Sequence, residues 1–205
     1  MRYPLFFIGW LTLMSQGWAQ TGPPGSYLGQ MPPGKVPQIF APGFISTEAF
    51  EFAGSFSPDG RIYVFTRRPD AAGAANRLYI TVMGEDGTWT PPSLAPFGRD
   101  VMEIEPHIAP SGDCLFFGSD RSKPAEAAGR GEIWFVERNS QGWGEAKYLK
   151  GPVNRGMAMY VTATRRGDLY YTGYDQGQYG IFRIVRADTG YGEPEYLGPV
   201  PGVPA

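Results

Sequence analysis

The 205-residue sequence holds a single cysteine and a single histidine. One cysteine excludes an internal disulfide. Cys114 lies in the apolar run Cys114-Leu115-Phe116-Phe117, which reads as a buried strand, so its thiol is expected to act as a small apolar filler. One histidine, His107, excludes a histidine-rich metal site, and any serine, histidine and aspartate triad would have to use it. Charge of one sign is also missing: 18 basic and 20 acidic residues give a net charge of -2, with no block of like charge to grip a nucleic acid. No serine sits in a Gly-x-Ser-x-Gly elbow, and no glycine loop with phosphate-cradling spacing follows a strand. The apolar run over residues 3–14 falls well short of the roughly 20 residues that span a bilayer.

What is present is turn chemistry. The 29 glycines, 20 prolines and 15% aromatic residues suit many short strands joined by tight turns, an all-β composition. At the N-terminus Arg2, the apolar run and the ending Gly17-Trp18-Ala19 read as a secretory signal over residues 1–19, cleaved before Gln20. The expectation is an exported chain, periplasmic or secreted, with no membrane insertion after cleavage. Residues 20–36 form a Pro/Gly-rich leader without periodicity and are assigned no chemistry.

From there the sequence repeats itself. "SFSPDGRIYVFTRR" returns as "HIAPSGDCLFFGSDR" and more loosely as "VTATRRGDLYYTGYD", with turn glycines at Gly60, Gly112 and Gly167. Each copy is followed by a second β-rich run ("RLYITVM", "EIWFVER", "GIFRIVR"), then a turn with Trp89, Trp143 or Tyr191, ending on Leu94, Leu149 or Leu197. Four short strands per period of about 50 residues is the pattern of a propeller blade. Middle strands apolar on both sides, such as Ile62-Tyr63-Val64-Phe65, fit sheets covered on both faces. The expected class is an all-β propeller of four-stranded antiparallel blades. Its units run over about 50–100, 101–155 and 156–202 within a region spanning residues 37–205.

The Ser57-Pro58-Asp59-Gly60 turn and its aromatic strand, repeated behind a signal sequence, resemble the WD-like β-propeller repeats of bacterial periplasmic proteins, the TolB-type propellers. The motif is partial at Ala109-Pro110-Ser111-Gly112 and poor at Thr164-Arg165-Arg166-Gly167. The resemblance implies the fold and no particular activity. Closed propellers use about 4 to 8 blades, so three units imply either part of a larger ring, six-bladed or similar, or self-association of open stacks. Residues 37–47 resemble the fourth-strand segments and are expected to supply the outer strand of a closing blade.

Inner strands and the loops after second strands converge around a propeller's channel. This selects Glu51, Arg67, Arg68, Glu103, Glu105, His107, Asp120, Arg121, Tyr160 and Asp175 as candidate ligand-binding residues. Their mix of carboxylates, guanidiniums and a phenol suits a polar ligand such as a glycan or peptide. No complete catalytic set, metal site or cofactor is legible. The reading is a non-enzymatic binding or scaffold module for a protein, peptide or glycan of the cell envelope. Its alternative is a glycan-directed hydrolase or lectin-like module of sialidase type, for which Glu51, Glu103 and Glu105 could supply a carboxylate pair. Asp59 is expected to turn the chain, because Ser111 and Arg166 occupy its place in the other copies.

Overall fold

The computed structural model describes residues 22–124 and 132–202, so the candidate signal over 1–19 lies outside the described residues. Three antiparallel sheets follow one another along the chain. Blade 1 comprises β1 (Phe50–Phe56), β2 (Ile62–Arg68), β3 (Arg77–Val82) and β4 (Ser93–Leu94), paired in that order. Blade 2 comprises β5 (Glu103–Ile108), β6 (Cys114–Ser119), β7 (Ile133–Asn139), β8 (Gly142–Trp143) and β9 (Lys147–Tyr148), the last two both pairing with β7. Blade 3 comprises β10 (Met157–Ala163), β11 (Leu169–Asp175), β12 (Gln178–Ile184) and β15 (Glu195–Gly198), with a small ribbon of β13 (Arg186–Ala187) and β14 (Gly190–Tyr191). Both β1 and β10 pack against β5, which sets the three inner strands side by side around one axis. The all-β architecture of propeller blades expected from the repeats is what forms. Among the described residues no helix is long and apolar enough to cross a membrane.

The repeated glycines close the same turn in each blade. The N–H groups of Gly60, Gly112 and Gly167 donate to the carbonyls of Ser57, Ala109 and Thr164 at 2.8, 2.8 and 3.0 Å. All three glycines have left-handed φ of 69°, 80° and 87°, a region that a Cβ disfavours. Asp59 accepts the Ser57 hydroxyl at 2.5 Å and the Arg61 N–H at 3.1 Å, and the hydroxyl bond holds its carboxyl below the usual range. Its work is to fix the turn.

Alternating side chains of the middle strands feed two different cores. Ile62 and Val64 meet Leu115, Phe117 and Trp134 between blades 1 and 2. Phe116 and Ile133, on the reverse face of blade 2, meet Leu169, Tyr171 and Phe182 of blade 3. The fourth strand of each blade is split: Trp89, Trp143 and Tyr191 pair back onto Met83, Arg138 and Arg186, and only the residues beyond them join the main sheet.

The remaining face of blade 1 is covered by the segment over 22–47, which lies across it as a strap. Leu28, Ala41 and Ile45 pack with Phe65 and Trp89. Gly22 N–H donates to the Trp89 carbonyl, Trp89 N–H to the Pro23 carbonyl and the Trp89 indole N–H to the Gly25 carbonyl, at 3.0, 3.1 and 2.8 Å. Residues 37–47 form no strand. Gly43, with φ of 78°, turns the chain back so that Ile45 N–H reaches the Ala41 carbonyl at 2.8 Å, which places both side chains on the blade face.

Candidate functional site

The ten candidate residues fall into distinct groups. Two pairs are built to one plan. Arg67 Nε donates to Glu51 Oε1 at 2.9 Å, its Nη2 donates to the Ile45 carbonyl at 3.0 Å, and its guanidinium lies over the rings of Phe65 and Tyr79. Arg121 Nε donates to Glu103 Oε1 at 2.9 Å, its Nη2 donates to the Phe97 carbonyl at 2.8 Å, and its guanidinium lies over Phe117 and Trp134. In each case the carbonyl stands six residues before the glutamate in the chain. Each arginine therefore staples the segment entering a blade to that blade's middle strands. The Thr47 hydroxyl also donates to Glu51, at 2.6 Å. Burial pushes the Glu103 carboxyl up, against the pull of the Arg121 guanidinium.

Blade 3 departs from this plan. The buried Ala158 stands where Glu51 and Glu103 stand in the other blades, and Asp175 instead accepts from Arg155, whose Nη2 is 2.7 Å from Oδ2. Arg155 also donates to Glu193 at 2.7 Å. Arg68 is exposed with its guanidinium over Phe50, and Asp120 is exposed beside Arg121.

The residues that do meet at the axis are Thr66, Glu105 and Tyr160. Each inner strand carries a bulge at which one residue other than glycine turns left-handed: Ala53, Glu105 and Tyr160, with φ of 50°, 58° and 52°. Each stands seven residues before its blade's turn glycine. Such a conformation costs energy for any residue with a Cβ and persists only where surrounding contacts impose it. Here the contacts run from blade to blade. Glu105 N–H donates to Thr66 Oγ1 of blade 1 at 3.0 Å, and Glu105 Oε2 accepts the Tyr160 N–H of blade 3 at 2.8 Å. Ile108 N–H donates to Ser55 Oγ at 3.0 Å in the same manner. Beside the first bulge Gly54 is required, because a Cβ there would collide with the Tyr63 hydroxyl.

Burial raises the Glu105 carboxyl above the usual value, with the Tyr160 hydrogen bond working against it. Burial lowers the His107 imidazole, opposed by a backbone bond to Ala163, and its Nε2 has no partner among the described residues. Glu105 thus binds its proton more tightly folded than unfolded. Its contribution to stability is complete below the unfolded value and is lost as pH rises through the folded value. In Glu105→Gln, which keeps an acceptor for Tyr160 N–H, this loss should vanish. Urea midpoints of the two proteins compared across the acid-to-neutral range should diverge, the variant gaining as pH rises; parallel curves would refute the assignment.

Sequence reasoning missed Thr66 as the acceptor for Glu105, and Asn154, which accepts the Ile133 N–H and donates to the Ile133 and Leu149 carbonyls. It also left unused the basic pair Arg165-Arg166, although this pair stands in the turn that holds Pro58-Asp59 and Pro110-Ser111 in the other blades.

No family model matches the sequence, and no curated protein matches it. The chain is similar to the crystal structure of TolB from Acinetobacter baumannii, with a TM-score of 0.48 and 17% identity over 72% of this chain. The match covers 32% of that chain, so this sequence spans about a third of its length.

Proposed function

We propose that the chain is an exported, non-enzymatic propeller module that binds a protein, peptide or glycan of the cell envelope. The observation that carries this reading is the row of aromatic side chains on the outer sheet face of blade 3. Cross-strand pairing places Met157, Tyr174 and Tyr179 on one side, and Tyr174, Tyr179 and Leu197 are about half exposed (50, 43 and 47%). Tyrosine joins a large apolar ring to a polar tip, and aromatic residues are enriched in the binding cores of interfaces. Glu51, Arg67, Glu103 and Arg121 are occupied in the staples, which leaves recognition to this face, the exposed Tyr160 and the loop-end charges Arg68 and Asp120.

The test replaces Tyr174 and Tyr179 together by serine and compares binding to envelope extracts and to a glycan array. Saturable binding by the parent protein that falls at least tenfold in the double variant, with the melting temperature kept, supports the face as the site. Unchanged binding removes it, and turnover of fluorogenic glycosides would replace the binding module with a hydrolase.

A further inference from the structure

At the turn end of the molecule, blades 2 and 3 diverge around a cleft of about 640 Å³. This size lies within the roughly 300–1,000 Å³ range of small-molecule sites. Its floor is the edge of the interblade core: Ala109, Phe116, Phe135 and Leu149, with Cys114 beside them. Its rim carries Arg138, Arg165, Arg166 and Arg186.

The charge balance of this cleft differs from that of the chain as a whole. Against the four guanidiniums the lining holds two carboxylates, Asp113 and Glu137, and Glu137 is already bound to Lys147 at 2.6 Å. None of the four arginines forms a salt bridge among the described residues. Asp59 acts on Arg138 and Asp168 on Arg166 from outside the lining, and Asp168 is itself paired with Arg183 at 3.1 Å. A chain of net charge -2 has thus gathered an excess of guanidinium around one apolar hollow, carried chiefly by Arg165 and Arg186. Two of the four arginines are also held in place, since Arg138 lies over the Trp143 ring and Arg186 over the Tyr191 ring at 5.9 and 5.1 Å. Stacked guanidiniums lose less freedom when they take up an acidic group, to which they can present paired donors.

We propose that this cleft binds a small amphipathic anion, an acidic group on an apolar body of about naphthyl size. The apolar body lies on Phe116, Phe135 and Leu149, and the acidic group faces Arg165, Arg166 and Arg186. The site is at the opposite end of the blades from the Glu51–Arg67 and Glu103–Arg121 staples, whereas His107, paired with Phe116, stands beside it. It stands or falls independently of the blade 3 face. Cys114 supplies a site-specific reporter because it is the only thiol. Burial, with Asp113 and Glu137 nearby, pushes it up to about 12, so it reacts slowly as the thiol and a ligand over it slows it further.

The probes are 2-naphthoate, 2-naphthyl phosphate, uncharged 2-naphthamide and inorganic phosphate, read by calorimetry and by the rate at which N-ethylmaleimide labels Cys114. Both naphthyl anions are expected to bind and to slow labelling at least fivefold, and the tighter of the two identifies a carboxylate or a phosphate ligand. The amide and inorganic phosphate should bind at least tenfold more weakly. The double variant Arg165→Glu/Arg166→Glu, at two exposed turn positions, should lose at least tenfold in affinity at unchanged melting temperature, and Arg186→Gln should lose affinity as well. Failure of both anions to bind or to protect Cys114, equal binding of the amide, or unchanged affinity in the charge-reversed variant would each overturn the proposal.

Discussion

Trp89→Ala should destabilise the protein by about 3–5 kcal/mol, the range for truncating a buried tryptophan. Trp89 is 1% exposed, packed between Phe65 and the strap residues Leu28, Ala41 and Ile45. Its indole N–H also fastens Gly25, so truncation removes a hydrogen bond between blade and strap along with the packing. The loss should therefore be regional. Urea denaturation gives the magnitude, and limited proteolysis should show faster cleavage within residues 22–47. Trp143→Ala is the comparison: Trp143 holds the same place in blade 2 but is only half-buried, and it should cost markedly less. Equal losses, or a loss below about 1 kcal/mol for Trp89→Ala, would show that the strap does not depend on this contact.

Glu103→Ala should cost a similar amount, about 3–5 kcal/mol, because it leaves a buried guanidinium without its counter-charge. The Glu103 side chain is 1% exposed and that of Arg121 10% exposed. Arg121→Ala should be as harmful, since the carboxylate is then stranded. Glu103→Leu combined with Arg121→Met removes both charges and lets a thioether lie over Phe117 and Trp134, so it should cost far less than either single change. Chemical denaturation of the four proteins checks this. A double variant as unstable as the sum of the two alanine variants would show that the pair does not act as a unit.

The strands were legible because they obey local rules. Apolar runs such as Ile62-Tyr63-Val64-Phe65 and Cys114-Leu115-Phe116-Phe117, with a glycine at a fixed distance before each, leave little alternative to a hairpin. The staples were not legible. Glu51 and Glu103 keep the repeat spacing, but Arg121 stands two residues further along its blade than Arg67 does, so the pairing exists only once the guanidinium has reached back across the sheet. Four candidates chosen as ligand-binding residues of the channel face are thereby placed in the supports of the blades. The strap was hidden for a related reason: its apolar residues, Leu28, Ala41 and Ile45, have no regular period, and they find their faces through turns rather than through secondary structure.

The three bulges at the axis have a consequence of another kind. Ala53, Glu105 and Tyr160 share neither size nor charge, yet they occupy one backbone state at one distance from one turn. What recurs from blade to blade is a dihedral angle, not a letter. The backbone frame is common while the side chains on it differ: a methyl in blade 1, in blade 2 a buried carboxylate that itself holds the next bulge by accepting the Tyr160 N–H, and in blade 3 an exposed phenol. Substitution at Ala53 or Tyr160 can change what the axis displays, provided the new residue accepts a left-handed φ, whereas the residue at 105 must also supply an acceptor to blade 3.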